Sequence, residues 1–175
     1  MHKEILVLLN KTQYTQAFNL VVKSYNQRLY WHIRRMVVNH DDADDVLQNT
    51  FLKVWRALPN FRSDANIYTW LYRIATNESL TFLQKKRQDM NFEDYANTVA
   101  KNLEADAFFD GDEIQLKLQK AIASLPEKQR MVFNLRYFEE MNYREMAEVL
   151  ETSEGALKAS YHHAAKKIEA FFKED

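Results

Sequence analysis

The segment NYREMAEVLETSEGALKASYHHAAKKI, residues 142–168, contains two helical patterns separated by a tight break, and it decides the fold of the C-terminal part of the chain. We predict a short first helix over residues 143–150, a turn at Glu151 and Thr152, and a second helix capped by Ser153. The second helix has an apolar stripe, at steps of four, three and four residues, that must face inward. This stripe consists of Leu157, Tyr161, Ala164 and Ile168.

The side of the second helix opposite this stripe is basic and carries small residues that permit close contact with another surface. At 100° per residue it consists of Gly155, Lys158, Ala159, His162 and Lys166, with His163 at its edge, and Ser153 and Ser160 complete the candidate set. A helix-turn-helix places such a face in the major groove of duplex DNA, where lysines attract phosphates and small or imidazole side chains reach base edges. The alternative is a helical hairpin whose basic face is merely solvated.

The composition favours a helical protein. The 175 residues include only two glycines and two prolines, which favours long helices over a many-turned β fold. There is no cysteine, which excludes disulfides and thiolate metal sites. The N-terminal apolar stretch, of about five residues, is too short for a signal-peptide core or a membrane span, so we expect a cytoplasmic protein.

The local distribution of charge divides the chain into three blocks. Residues 1–90 hold 13 Lys/Arg and 8 Asp/Glu, residues 91–113 hold one and seven, and residues 114–175 hold ten of each. The middle block has no clean periodicity, so we predict an acidic linker, with a short helix packed on a neighbour as the alternative. The predicted fold is all-α, with an N-terminal helical bundle joined by the linker to a C-terminal four-helix domain that contains the helix-turn-helix.

Apolar periodicity predicts the helices of both domains. The first long helix has a stripe of Phe18, Val22, Tyr25, Leu29, Ile33 and Met36. The next has Asp42 as a plausible N-cap and a stripe of Leu47, Phe51, Val54 and Leu58. The third begins near Asn66 and buries Ile67, Leu71, Ile74, Ala75 and Phe82. In the C-terminal block a stripe of Ile114, Leu118, Ile122 and Leu125 precedes a helix that opens at Pro126.

The outward faces of the second and third helices carry candidate functional side chains. On the second helix Leu52 is an apolar residue on a polar face, which is typical of an anchor for a protein partner. On the third helix Trp70, Arg73 and Asn77 form one row that could stack on bases, pair with phosphate and hydrogen-bond a base edge. The alternatives are an ordinary solvated face for Leu52 and core packing for Trp70.

Two long stretches of the chain resemble a known family. LPEKQRMVFNLRYFEEMNYREMAEVLETSEGALKASYHHAAKKI, residues 125–168, resembles the promoter-binding C-terminal domain of the extracytoplasmic-function sigma factors. DDADDVLQNTFLKVWRALPNFRSDANIYTWLYRIATNESLTFLQKKR, residues 41–87, resembles their other domain. The resemblance implies a transcription initiation factor, without catalytic activity, cofactor or metal, that binds core RNA polymerase and directs it to promoters. The C-terminal domain would read the upstream, minus-thirty-five element as duplex, and the N-terminal domain would capture the downstream, minus-ten element as a melted single strand.

The resemblance also implies roles for individual residues. The family's helix that docks on the clamp helices of the polymerase's largest subunit corresponds here to a surface of Asp44, Asp45, Gln48, Asn49, Leu52 and Arg56. The family's loop that receives a flipped base corresponds to Phe61, Arg62, Ser63, Asp64, Asn66 and Tyr68. The downstream element would further contact Trp70, Arg73, Asn77, Lys85, Lys86 and Arg87. For Asp64 and Asn66 the alternative is helix capping, and for the basic run it is complementing the helix dipole.

The resemblance makes an anti-sigma protein an expected partner. Two hypotheses of other classes remain: a helix-turn-helix regulator that binds DNA without polymerase, and a helical interaction module that contacts no DNA. An enzyme is disfavoured, because the sequence has no Gly-rich phosphate loop, no metal-ligand spacing and no nucleophile with a convincing base.

Overall fold

The computed structural model describes residues 2–62, 64–90, 92–104 and 112–173, and over these residues it consists of helices without any strand. The helices are α1 (His2–Asn10), α2 (Tyr14–Val37), α3 (His40–Ala57), α4 (Ile67–Asp89), α5 (Phe92–Glu104), α6 (Glu113–Ala123), α7 (Glu127–Tyr137), α8 (Tyr143–Leu150) and α9 (Glu154–Lys173). The predicted all-α class is confirmed. Within the described ranges, no helix combines the length and the apolar character that crossing a bilayer requires.

The N-terminal domain is a bundle in which α2, α3 and α4 pack on one another and α1 packs on α2. Its core contains the fully buried side chains Ile5, Leu29, Ile33, Val54, Ile67, Leu71 and Tyr72. A 3-10 turn at Leu58–Asn60, with Pro59 near its start, ends α3 and turns the chain toward α4. Helix α1 was not predicted, because its nine residues bury only Ile5 and therefore give little periodic signal.

The start of α3 corrects one predicted cap. Asn39, and not Asp42, is the N-cap, because its Oδ1 accepts a hydrogen bond from the Asp42 backbone N–H at 3.0 Å. Asp42 lies in the first turn, where a carboxylate is favoured by the helix dipole. Its side chain pairs with Lys86 of α4 and so ties two helices of the bundle together.

Several predicted apolar stripes are not buried throughout, and in α3 the predicted Phe51 is half-buried. In the first half of α2 the fully buried residues are Ala17 and Val21, whereas Phe18, Val22 and Tyr25 are half-buried, because α1 packs on this helix as well. In α4 the predicted Ile74 and Phe82 are half-buried. The interior of α4 instead includes the polar side chains of Thr69, Thr76 and Ser79. In α6 the predicted Ile114 is 73% exposed, since it lies in the first turn and reaches past the domain core.

The C-terminal domain is formed by α6 to α9, of which α7 and α9 make the most extensive contact. A compact core of Ala121, Ile122, Leu125, Phe133, Ala164 and Ile168 joins α6, α7 and α9. The rings of Phe133 and Tyr161 stack with their centroids 5.7 Å apart. This core fixes the direction of α9 and therefore the orientation of its outward face.

The predicted acidic linker is wrong in its local structure. Helix α5 occupies Phe92–Glu104 and packs on α6, with Leu103 buried, which was the alternative for this block. Residues 105–111 of the block lie outside the described residues. That residues 91–113 form the connection between two domains stays a prediction.

The two domains are packed against each other. Helix α8 lies on α4, and α7 lies on α2. One hydrophobic cluster runs through both domains, so that Ile33, Leu71 and Tyr72 belong to the same core as Leu135 and Met146. The candidate surfaces of both domains therefore belong to one arrangement in which the two domains are in contact, which we call the closed arrangement.

Candidate nucleic-acid and polymerase interfaces

The break between α8 and α9 is built by local capping interactions. Asn142 and Glu145 form a capping box, because each side chain accepts a hydrogen bond from the other residue's backbone N–H, at 2.9 and 3.1 Å. Glu151 ends α8 in the left-handed conformation, with φ 51° and ψ 45°. Ser153 Oγ accepts a hydrogen bond from the Ala156 N–H at 3.3 Å, as predicted for the cap of the second helix.

The outward face of α9 has the predicted orientation. Leu157, Ala164 and Ile168 are buried and Tyr161 is half-buried. The exposed side consists of Ser153, Gly155, Lys158, Ala159, His162, His163 and Lys166, whereas Ser160 is half-buried. Lys158 Nζ lies 5.6 Å from the ring centroid of Tyr143, so the start of α8 and the face of α9 form one surface.

Gly155 has no internal packing role. A Cβ placed at this position would have nothing within 4 Å. Glycine is one of the poorest helix formers, so it lowers the stability of α9 without a packing gain within the described chain. Because no contact within the described chain requires glycine at this position, its presence favours close approach of another molecule to the first turn of α9.

The outward face of α3 combines polar groups with exposed apolar ones. Asp45, Gln48, Asn49 and Arg56 are exposed, and Asp44 is half-buried. Leu52 is 53% exposed and Trp55 is 42% exposed. An apolar groove lies beside them between α2 and α3, lined by Thr15, Phe18, Val22, Gln48, Phe51, Leu52 and Trp55. Trp55 was not predicted, although its spacing of three residues from Leu52 on the helix was a usable signal.

Of the residues predicted for the downstream element, only those from Phe61 to Trp70 lie in the loop before α4 or at its start. Phe61 and Trp70 pack edge to face with centroids 4.9 Å apart, so Trp70 is partly a core residue. Arg62 and Asp64 form an exposed bidentate pair, with nitrogen–oxygen distances of 3.2 and 2.8 Å, and this pairing lowers the pKa of the Asp64 carboxyl. Ser63 lies outside the described residues.

Asn66 is the N-cap of α4. Its Oδ1 accepts a hydrogen bond from the Tyr68 N–H at 3.0 Å, which was the alternative for this residue. Asp64 does not have that role. The capping bond occupies one amide oxygen of Asn66 and fixes the direction in which the exposed side chain leaves the loop.

The row of Trp70, Arg73 and Asn77 along α4 is only partly accessible to another molecule. Asn77 is exposed, but Arg73 Nη1 lies 3.9 Å from Glu151 Oε1 of the helix-turn-helix. In the basic run Lys85 is exposed and Lys86 is paired with Asp42. Arg87 Nη2 lies 2.7 Å from Glu127 Oε2 of α7.

A charged cluster that the sequence analysis missed lies between the two domains. The side chain of Glu139 is 6% exposed and receives a hydrogen bond from Tyr72 Oη of α4. Its carboxylate also lies 3.1 Å from Arg35 Nη1 and 3.9 Å from Arg28 Nη2, both on α2. Tyr68 Oη donates a hydrogen bond to the Glu139 carbonyl at 3.3 Å. No local pattern predicts this cluster, because Glu139 is one of two adjacent glutamates in a loop and its partners lie 67 to 111 positions earlier.

The cluster perturbs the ionisation of its tyrosines and arginines. Burial raises the pKa of Tyr68 to about 12, against the opposing effect of Arg28. Burial together with the adjacent Glu139 carboxylate raises the pKa of Tyr72, which therefore stays a hydrogen-bond donor. Burial lowers the pKa of Arg35, and Glu139 counteracts that effect.

Comparisons with known proteins give the family. The family model described as Sigma-70 region 2 matches residues 21–89, and the one described as Sigma-70, region 4 matches residues 115–168. The RNA polymerase sigma-H factor of Pseudomonas aeruginosa is 32% identical over 164 residues, which are 88% of this chain and 85% of that protein. The extracytoplasmic-function RNA polymerase sigma-E factor of Escherichia coli is 30% identical over the same shares of the two chains.

Solved structures show the same fold. CnrH in complex with the cytosolic domain of CnrY superposes with a TM-score of 0.71, at 24% identity and over 97% of both chains. The sigma factor RpoE in complex with the anti-sigma factor NepR from Bartonella quintana gives a TM-score of 0.68, at 20% identity, over 93% of this chain and 98% of that one. From the two matched regions and the curated relatives together, the chain belongs to the extracytoplasmic-function group of the sigma-70 family of RNA polymerase sigma factors.

Proposed function

We propose that this sigma factor binds core RNA polymerase through α3, reads the upstream promoter element as duplex through α9, and captures the downstream element as a melted single strand through the loop before α4 and the start of that helix. The single observation that carries the proposal is the exposed basic face of α9, which stands opposite a buried stripe and includes a glycine that no internal contact requires. The chain has no catalytic role of its own, and it acts in the cytoplasm beside its polymerase.

In the upstream contact, different side chains of α9 bind the phosphates and the base edges. Lys158 and Lys166 are exposed cations on the outward face of α9 and supply phosphate attraction that falls with salt. Gly155 and Ala159 leave room for the helix to approach base edges, and His162 offers a ring nitrogen to them. Ser153 stands at the N-terminal end, where a recognition helix meets the groove most closely.

The downstream contact uses stacking and base flipping. Tyr68 and Trp70 are half-buried and offer aromatic faces beside a loop with exposed polar groups. Stacking of a base on an aromatic side chain contributes about 1–3 kcal/mol, which can offset the few kcal/mol needed to unstack the base. Asn77 is exposed for hydrogen bonding, and Lys85 is exposed for attraction of the strand.

The polymerase contact uses the outward face of α3. The exposed Leu52 and Trp55 lie among polar residues, the arrangement expected of an interface with an apolar centre and a polar rim. We propose that the apolar groove beside them receives the clamp helices of the polymerase's largest subunit. Gln48 lines the same groove and supplies a hydrogen-bonding group at its edge.

An anti-sigma protein is a proposed second partner. RpoE of Bartonella quintana is in complex with the anti-sigma factor NepR, and CnrH is in complex with the cytosolic domain of CnrY. The same fold in this chain offers a partner the same kind of two-domain surface. We therefore propose that a regulator of this kind holds the factor away from polymerase.

Transcription from a randomised promoter pool tests these assignments residue by residue. Purified protein and bacterial core polymerase should enrich templates with two separated sequence elements. Lys158→Ala should weaken enrichment at the upstream element only, and Asn77→Ala at the downstream element only. Lys11→Ala, an exposed cation outside all proposed surfaces, is the matched control and should leave both unchanged. Loss of both elements in each variant, or of neither, would refute the division of labour between the two domains.

A further inference from the structure

A cavity of about 610 Å³ lies where α2, α5, α6 and the end of α7 meet. Its volume is within the range of about 300–1,000 Å³ that sites for small molecules occupy. None of the residues proposed above for contact with DNA or polymerase lines it. The proposed function therefore does not account for this cavity.

The buried part of the lining, which we call the floor, combines apolar side chains with a cation. Val38, Leu103 and Ile122 are buried, and Arg34 is only 9% exposed. Charged side chains are seldom buried to this extent. A guanidinium group among apolar side chains also attracts an anion more strongly than a surface cation does, because the local dielectric constant is low. The floor thus favours a ligand that carries negative charge.

Val38 holds the floor in a strained backbone conformation. Its φ is 65° and its ψ is −10°, which a β-branched residue rarely adopts. The Val38 N–H donates a hydrogen bond to the Arg34 carbonyl at 2.9 Å, and the Arg34 side chain donates one to the Val38 carbonyl. Strain of this kind is concentrated at functional sites, where it serves preorganisation. The guanidinium group of Arg34 is therefore held in place before a ligand enters.

The walls of the cavity supply aromatic rings and amide groups. Trp31 of α2 and Phe138 at the end of α7 are half-buried, and the Phe138 ring centroid lies 4.1 Å from the guanidinium carbon of Arg35. On α6, Gln119 is half-buried and Gln115 is exposed, and each amide both donates and accepts hydrogen bonds. A ligand with a flat apolar body would find ring faces here, with polar groups at the rim.

The charges of the lining indicate how much negative charge a ligand carries. Two guanidinium groups, of Arg34 and Arg35, and one exposed carboxylate, of Asp112, line the cavity, so its lining has one surplus positive charge. Arg35 also pairs with Glu139, but a guanidinium group has five N–H donors and can bind two acceptors at once. A single anionic group matches this lining best.

We propose that this cavity binds a small organic monoanion with a flat aromatic body, whose anionic group lies on Arg34 and whose body lies against Trp31 and Phe138. The proposal goes beyond the proposed function and requires only the closed arrangement. Because α2 and α6 both contribute lining residues, the ligand contacts both domains, and it stabilises the folded chain by mass action.

The test uses two dyes with the same aromatic body. 8-Anilinonaphthalene-1-sulfonate carries one anionic group, and N-phenyl-1-naphthylamine carries none. The full chain labelled with 5-fluorotryptophan has three fluorine nuclei, one on each tryptophan, and Trp→Phe variants assign their resonances. The sulfonate should shift the Trp31 resonance with one-to-one stoichiometry and leave those of Trp55 and Trp70 in place. The neutral dye should bind roughly tenfold more weakly or worse.

Three variants locate the site by dye titration, after circular dichroism has shown that each is folded. Arg34→Met should weaken binding of the sulfonate roughly tenfold and leave binding of the neutral dye within about twofold. Ala123→Phe places a ring in the cavity and should weaken binding of both dyes. Trp55→Ala is the matched control, because Trp55 lines a separate apolar groove, and it should change neither affinity.

Three results would overturn the proposal. They are a Trp31 resonance that stays in place at millimolar sulfonate, equal affinity of wild type for the two dyes, and sulfonate binding that survives Ala123→Phe in the folded variant. If Arg34→Met or Ala123→Phe unfolds, the first two results still decide, since they are measured on the wild-type chain.

Discussion

Replacing Trp55 by alanine should weaken binding of core RNA polymerase roughly thirtyfold. An indole buries about 200 Å² when covered, and 42% of this residue is exposed in the free chain. Covering that fraction at about 25 cal/mol per Å² contributes about 2 kcal/mol, and each 1.4 kcal/mol is a factor of ten in affinity. Trp55 lines the apolar groove, so most of this area should be covered by the partner.

Leu52→Ala should have a smaller effect in the same direction. About half of the leucine is exposed, and full burial of a leucine contributes about 1.5–3 kcal/mol. The remaining half corresponds to about 1 kcal/mol, or roughly fivefold in affinity. The covered part of each side chain packs on the bundle, and the ring of Trp55 lies 5.2 Å from that of Phe18, so each change should also lower the free energy of unfolding, by about 1–3 kcal/mol. Binding is therefore compared at a temperature at which circular dichroism shows that every variant is folded.

Equilibrium binding of fluorescently labelled protein to bacterial core polymerase measures both effects. Ile114→Ala is the matched control, because this residue is 73% exposed and apolar but lies on α6, away from the outward face of α3. It should bind like wild type. If Trp55→Ala also binds within twofold of wild type, or if Ile114→Ala weakens binding as strongly, the outward face of α3 is not the docking surface.

Three further predictions concern the fold and the upstream contact. Gly155→Ala should raise the free energy of unfolding by about 0.5 kcal/mol in urea titrations yet reduce enrichment of the upstream element; unchanged enrichment would show that no DNA approaches this turn. Leu157→Ala should lower the free energy of unfolding by about 2–5 kcal/mol, since the side chain is fully buried, and a loss below 1 kcal/mol would contradict the packing of α9. Burial lowers the pKa of His32 to about 3, so the unfolded chain takes up a proton that the folded chain refuses, and stability falls as pH drops below about 6.5. Between pH 7.5 and 5.5 the free energy of unfolding of wild type should fall by about 1.4 kcal/mol more than that of His32→Leu. Equal falls would mean that folding does not lower the pKa of His32.

The helix-turn-helix was predictable almost to the residue because its determinants are local. The span of α8, the turn after it and the cap at Ser153 follow from caps and periodicity within about 25 neighbouring residues. The choice of N-cap for α3 was not predictable, because Asn39, Asp41 and Asp42 are all good capping residues and only the folded geometry selects one.

The contact between the domains could not be predicted from the sequence. It joins Glu139 to Arg28, Arg35 and Tyr72, which are distant along the chain and have no common pattern. The exposure of Ile114 was missed for a related reason, since periodicity assigns a face to a residue but does not show where the neighbouring core ends. Helix α5 was only the alternative for its block, because the acidic composition without clean periodicity is typical of a spacer.

The most direct test of the central claim is a run-off transcription assay with bacterial core polymerase, this protein and a randomised promoter library. We expect transcripts with defined 5′ ends that depend on the added protein, and we expect Trp55→Ala to raise the protein concentration needed for half-maximal transcription. Failure to produce any protein-dependent transcript, together with a stable and sequence-specific complex of the protein with duplex DNA alone, would contradict it.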